Sequence, residues 1–116
     1  MELTAADILQ ADDFLRERVD VPEWGGHVWG AAMDGAARDD FEQEVQPFRD
    51  DEMPIPNARA RLLVRCLVDA GGQRLFSLAQ IESLGQKNST ALQRVFEVAM
   101  RLNGLDKQAV EELEKN

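Results

Sequence analysis

The sequence predicts a mainly helical α+β fold, in which an N-terminal β-hairpin is followed by about four or five short to medium helices. Three observations predict this fold. A long apolar stripe at helical spacing lies near the end of the chain, Gly25 and Gly26 separate two short apolar segments, and prolines interrupt the helical patterns at 46–57. The length of 116 residues corresponds to a single domain, 1–116.

The most strongly specified element is a helix predicted over 88–103, on which the other elements are expected to pack. Ser89 or Thr90 is predicted to cap the start of this helix, and Thr90 with Gln93 fits a capping box. Gly104 lies where a left-handed residue commonly ends a helix. The apolar positions that share one face are Leu92, Val95, Phe96, Ala99 and Leu102.

A β-hairpin is predicted over 19–24 and 27–32, with the two intervening glycines as its turn. Pro22 has no backbone N–H, so its strand is expected at the edge of a sheet. Because an isolated hairpin is unstable, its apolar face must pack on the helices or on another copy of the chain. Trp24 and Trp29 are typical core anchors in this setting, and an exposed protein-binding pair is the alternative interpretation.

Two helices are predicted in the N-terminal half. Residues 4–13 fit a short helix capped by Thr4, and a mobile N-terminal segment over 1–18 is the alternative. Asp34 is predicted to cap a helix over 35–46, whose many carboxylates indicate a solvated face.

Residues 46–56 are predicted to form a surface loop, because they combine three prolines with the run Asp50-Asp51-Glu52. A metal site is the functional alternative for this acidic run. The run lacks the glycine and the spaced ligands of a calcium loop, so no metal site is predicted there.

Asn57 is predicted to cap a helix over 58–67 that directs an exposed basic strip away from its apolar face. This strip is able to pair with the acidic helix at 35–46. Residues 67–76 fit either a second small hairpin or a helix end followed by an extended arm. The basic residues of the strip are Arg59, Arg61 and Arg65.

Two short helices complete the prediction. Ser77 and Gln80 fit a capping box at the start of a helix over 78–84. A last helix over 107–114 has few apolar anchors and would be marginal on its own.

Charge is unevenly distributed along the chain. Residues 1–56 carry 15 acidic and 4 basic side chains, residues 57–116 carry 7 and 9, and the net charge is −9. A negative protein repels the phosphate backbone, so no nucleic-acid partner is predicted. The acidic half either faces a basic partner or keeps the surface solvated. No apolar run reaches the ~20 residues of a membrane span and no signal pattern is present, which predicts a cytoplasmic protein without a membrane partner.

No catalytic, cofactor-binding or metal-ligating residues are predicted. His27 has no neighbouring cysteine and no spaced carboxylates, and Cys66 lies in an apolar run where a buried thiol is expected. The sequence contains no phosphate-binding loop and no nucleophile elbow. Amphipathic helices, aromatic anchors and an acidic surface are typical of a protein that binds another protein rather than of an enzyme.

Three ordered segments resemble the tail assembly chaperones of long-tailed bacteriophages and prophages. They are VDVPEWGGHVWGAAMDGAARDDFE at 19–42, NARARLLVRCLVDAGGQRLFS at 57–77 and IESLGQKNSTALQRVFEVAMRLNGL at 81–105. The first contains the family's Val-Pro-Glu-Trp-Gly-Gly sequence, and the third has its Leu-Asn-Gly-Leu helix ending. Residues 29–32 differ from the family's usual strand sequence, so the residue at which the second strand ends is not determined by the resemblance.

The resemblance implies a non-enzymatic role in tail assembly. Such proteins bind the tape measure protein, keep it soluble until the tube protein polymerises around it, and leave before the virion is finished. The expected partner is the tape measure protein, with the major tail tube protein and a second copy of this chain as further candidates, in the cytoplasm of the bacterial host. The candidate residues for protein binding or self-association are Trp24, Trp29, Leu92, Val95, Phe96, Ala99 and Leu102.

Many members also gain a C-terminal extension by a programmed −1 frameshift. Glu114-Lys115-Asn116 can be encoded by a slippery GAA AAA AAC sequence, and the gene sequence would test this directly. Two alternative functions are a small inhibitor that mimics nucleic acid and blocks a host protein, which the acidic N-terminal half suggests, and a structural tail component that stays in the virion.

Overall fold

A computed structural model of the chain describes residues 1–105. The fold is α+β and mainly helical, as predicted, and its N-terminal β-hairpin precedes most of the helices. The predicted helix over 107–114 lies outside the described residues. The elements are α1 (Ala5–Gln10), β1 (Arg16–Val21), β2 (Gly26–Ala31), α2 (Gly35–Asp50), α3 (Ala58–Cys66), β3 (Leu67–Val68), α4 (Ile81–Gly85) and α5 (Ser89–Leu102).

The β-hairpin is confirmed, but its turn is longer than the predicted two-residue turn. β1 ends at Val21 because Pro22–Trp24 forms a turn of 3-10 helix. Gly25 closes this turn with a left-handed φ of 78°, and its N–H donates to the Pro22 carbonyl at 3.0 Å. Gly26 already belongs to β2 and pairs with Val21. Pro22 therefore lies in the turn rather than in a strand.

The sheet has the antiparallel order β1-β2-β3, so β1 is an edge strand, as predicted. The short β3 continues directly from α3. An isolated bridge between Val68 and Arg74 turns the chain back on itself, which agrees with the small-hairpin alternative for residues 67–76.

α5 lies at the centre of the core, where it packs against α3 and against the first two strands. Gly30 in β2 faces this helix, and a Cβ there would lie in ordinary van der Waals contact with Val98 Cγ1 of α5, at 3.4 Å. The largest fully buried side chains come from five elements and include Phe41, Val45, Leu62, Leu63, Leu67, Val95, Phe96 and Val21. The predicted central role of this helix is therefore confirmed.

α2 extends to Asp50, so the prediction that a loop begins at residue 46 is wrong. Pro47 lies inside the helix, where it lacks the N–H of the regular hydrogen-bond ladder. Two contacts hold the additional turn in place. Phe48 packs against the core, and Arg49 Nη1 donates to the Glu42 carboxylate at 2.9 Å.

Three of the predicted helix starts are confirmed. The Asp7 N–H donates to Thr4 Oγ1 at the start of α1, and the Ala37 N–H donates to Asp34 Oδ1 at 2.7 Å at the start of α2. Before α4, the capping box at 77–80 is also formed.

Two other helix starts differ from the prediction. Asn88, rather than Ser89 or Thr90, caps α5 by accepting from the Ala91 N–H at 2.9 Å. Asn57 precedes α3 but makes no side-chain capping bond. Its amide instead packs so closely on Gly85 that a Cβ there would lie 2.3 Å from Asn57 Oδ1.

The C-terminal end of α5 is confirmed in detail. Gly104 has a left-handed φ of 60°, its N–H donates to the Arg101 carbonyl, and the Leu105 N–H donates to the Met100 carbonyl, each at 3.1 Å. These two bonds form a Schellman motif.

Arg65 corrects the prediction of an exposed basic strip. Its side chain is fully buried between α3 and α2, where it forms ion pairs with Asp40 at 2.7 Å and Glu44 at 3.1 Å. The Arg65 guanidinium also lies over the Phe41 ring, 5.6 Å from its centre. The predicted pairing between the strip and the acidic helix is therefore confirmed, but Arg65 is part of the core and α2 does not present a purely solvated face.

Replacing Arg65 by alanine is expected to lower the free energy of unfolding by about 2 kcal/mol, because the fully buried side chain leaves a cavity and its hydrogen bonds to Asp40 and Glu44 are lost. Urea denaturation measures the change. The control is Arg18→Ala, which removes the exposed Arg18–Asp20 pair and should cost less than about 1 kcal/mol. Equal losses in the two variants would show that burial of Arg65 contributes nothing.

Candidate protein-binding surfaces

Most of the apolar face of α5 lies inside the domain. Leu92 is 5% exposed, and Val95, Phe96 and Ala99 are completely buried. Leu102 is half-buried at the end of the helix. In the single chain these residues therefore form the core, and their role in protein binding or self-association stays a prediction.

The two tryptophans are half-buried on the hairpin. Trp24 packs against the core, and its buried indole N–H has no hydrogen-bond acceptor within residues 1–105. The Trp29 ring lies beneath the Arg16 guanidinium at 5.4 Å, an arrangement typical of a cation–π contact. A binding role for Trp24 and Trp29 also stays a prediction.

Two ion pairs tie the hairpin to the polar side of α5. Arg94 donates through Nη1 and Nη2 to the two carboxylate oxygens of Glu23, at 2.6 and 2.9 Å. Arg101 donates to Glu17. The hydrogen bonds from Arg94 hold the pKa of Glu23 at about 2, well below its ordinary value of 4.5.

The largest exposed apolar surface of the described chain is the N-terminal arm, which we define as residues 1–15. α1 forms within the predicted range 4–13, but it buries no residue. The sequence contained a signal for this surface, because six large apolar residues occur in a segment with no basic side chain. The exposed residues are Met1, Leu3 (55%), Ile8 (59%), Leu9 (85%), Phe14 (57%) and Leu15 (61%).

β1 leaves one row of backbone groups unpaired. The Ala32 N–H donates to the Leu15 carbonyl at 2.9 Å. In this antiparallel register, every second residue after Leu15 directs its backbone N–H and C=O groups towards β2, and the residues between them direct theirs outward. Arg16, Arg18 and Asp20 therefore direct their backbone N–H and C=O groups away from β2. Within residues 1–105 no other strand covers this edge.

A cavity of about 500 Å³ lies between the root of the arm and the start of α2. Phe14, Met33 and Val68 supply apolar lining, and Arg16 and Arg74 supply charge. Such a mixed lining accommodates an apolar side chain with a polar end.

The described part of the chain offers little that is typical of a reactive site. Residues 1–105 contain no group of three or more His, Cys, Asp or Glu side chains placed to hold a metal ion. Burial raises the pKa of the Cys66 thiol to about 12, which makes it a poor nucleophile. His27 lies exposed beside the hairpin turn, opposite Asp20. No helix within 1–105 is long and apolar enough to cross a membrane.

These surfaces are typical of a protein-binding domain, and comparison with known proteins identifies its class. A sequence model of the phage tail assembly chaperone family matches residues 5–116. The chain therefore belongs to the phage tail assembly chaperone family, which indicates interaction with phage tail proteins. A search of curated protein sequences finds no match.

A solved structure supports the fold independently. The tail assembly chaperone of bacteriophage HK97 matches with a TM-score of 0.60 and 22% sequence identity. The match covers 84% of this chain and 94% of that chain. The architecture described above is thus shared with that chaperone despite the low identity.

The Glu23–Arg94 pair is expected to stabilise the fold in a pH-dependent way. Because folding lowers the pKa of Glu23 from 4.5 to about 2, the stabilisation is fully present above pH 4.5 and is lost as the pH falls towards 2. Glu23→Gln should therefore lower the urea midpoint near neutral pH and have almost no effect near pH 2.

Arg94→Met is the matched control for this prediction. It should lower the urea midpoint near neutral pH as Glu23→Gln does, and the double variant should add little further loss. Fully additive losses would show that Glu23 and Arg94 do not act as a pair.

Proposed function

We propose that this chaperone binds the tape measure protein of its phage and keeps it soluble in the cytoplasm of the bacterial host. It acts without catalysing a reaction and leaves before the virion is complete. The major tail tube protein is the second proposed partner, since tube polymerisation is the step that would displace the chaperone.

The observation that carries this proposal is the exposed apolar arm on a domain whose core is already closed. Leu9 and Leu15 are 85% and 61% exposed, although the chain buries comparable side chains elsewhere. Apolar surface left exposed in this way is typical of a protein-interaction site. We expect a tape measure chain to have long apolar helical stripes that aggregate unless they are covered, and an exposed apolar arm is suited to covering them.

Charge supports the same proposal. The chain brings a net charge of −9 to any complex that it forms. Net charge far from zero keeps protein assemblies apart in solution. Covering apolar stripes and adding negative charge would both reduce aggregation of the partner.

Co-expression with the tape measure protein of the same phage tests this proposal. The tape measure protein is expected to be mainly insoluble alone, and to become soluble and co-purify when this chain is present. An unrelated acidic protein of similar size and charge is the control, because it adds charge without the apolar arm. Unchanged solubility with no co-purification, in both this chain and any frameshifted longer form, would contradict the proposal.

Mass spectrometry of purified particles tests the second part of the proposal. The tape measure protein should be detected and this chain should be absent. Its presence in stoichiometric amounts would instead favour a structural tail component.

A further inference from the structure

The N-terminal arm contains a helix that is specified locally but is not buried against any other part of residues 1–105. Thr4 and Asp7 form a complete capping box: the Thr4 N–H donates to the Asp7 carboxylate at 2.9 Å, and the Asp7 N–H donates to Thr4 Oγ1 at 3.2 Å. Leu3 and Ile8 occupy the two positions of a hydrophobic staple. Yet α1 has six residues and buries none of them. A helix this short is marginal in water without tertiary contacts, so a partner that covers its apolar residues would stabilise it.

The root of the arm is fixed to the sheet. The Leu15 carbonyl accepts from the Ala32 N–H at 2.9 Å, and Arg16 Nη1 donates to the Ala70 carbonyl at 2.6 Å. Phe14, at this root, also lines the cavity beside α2. The arm therefore extends from a defined place on the domain, and its apolar surface is continuous with that cavity.

The charge of the arm indicates which kind of partner would bind it. Residues 1–15 carry four carboxylates, Glu2, Asp7, Asp12 and Asp13, and no basic side chain. A second copy of this chain would bring another net charge of −9 towards them. A helix with basic residues beside an apolar stripe satisfies both the carboxylates and the exposed leucines.

We infer that the arm, residues 1–15, is the docking element for a basic amphipathic helix of the partner. The inference rests on the proposed function, in which that partner is the tape measure protein. On binding, Ile8 and Leu9 enter the apolar stripe of the partner helix while the carboxylates pair with its lysines and arginines. Phe14 and Leu15 continue the contact towards the cavity.

The experiment uses the full chain and fluorescently labelled synthetic peptides that together cover the tape measure protein. The wild-type chain is expected to bind the basic amphipathic peptides and not the acidic ones. Ile8→Ser/Leu9→Ser should weaken this binding at least about tenfold, a loss of about 1.4 kcal/mol. Its circular dichroism and urea midpoint should remain near those of the wild type, because neither residue is buried.

The matched control is Met53→Ser/Leu75→Ser, which removes two apolar side chains that are also exposed (59% and 45%) but lie outside the arm. This variant should bind the peptides as the wild type does. Asp12→Asn/Asp13→Asn should weaken binding at low salt and reduce its salt dependence, since exposed charge pairs are screened by salt.

Failure of the inference is distinguishable from failure of the proposed function. If the wild-type chain keeps the tape measure protein soluble and the Ile8→Ser/Leu9→Ser variant does so equally well, the arm is not the docking element. If that variant changes only the oligomeric state in sedimentation, the arm packs on a second copy and the inference is wrong. If the chain binds basic peptides through the arm but leaves the tape measure protein insoluble, the inference stands and the proposed function fails.

Discussion

Burial of the apolar face of α5 is the interaction on which the rest of the structure depends. Val95 and Phe96 are completely buried, and the helix contacts α3 as well as both strands of the hairpin. A single hairpin does not fold alone, so it needs this surface. The ion pairs of Glu17 and Glu23 with α5 then fix the hairpin's position on the helix. Because the apolar face of α5 is used for the core, little of that face is accessible to partners in the single chain. The exposed arm is therefore the better candidate for a binding surface.

Local signals predicted much of the fold because they act within a few residues. The Thr4 and Asp34 caps and the glycine ending of α5 are decided by neighbouring side chains, and each is found as predicted. The predicted cap residue of α5 was wrong, because Asn88 competes with the neighbouring Ser89 for the unpaired backbone N–H groups at the start of the helix. When two neighbouring residues are equally good caps, the sequence alone does not show which of them caps the helix.

Features that depend on distant partners were not predictable in the same way. Arg65 appeared to be a surface residue, because its two carboxylates lie on α2, more than twenty positions earlier in the chain. Pro47 appeared to end a helix, but the packing of Phe48 holds the next turn. For the candidate site, the pattern of α5 identified an apolar face without showing whether that face is core or interface. The arm was not predicted as a binding surface, because residue spacing shows which side chains share a face but not whether another element covers that face.

The open edge of β1 has a consequence for a protein whose proposed partner is prone to aggregate. An unpaired strand edge is a template on which further strands can add, from another copy or from a misfolded client. Here the outward-facing backbone is flanked by the charged side chains of Arg16, Arg18 and Asp20, and the edge is only six residues long. Charges and short length are the usual means by which natural sheets prevent such growth. The chaperone thus carries its own protection against becoming the seed of the aggregate that it is proposed to prevent.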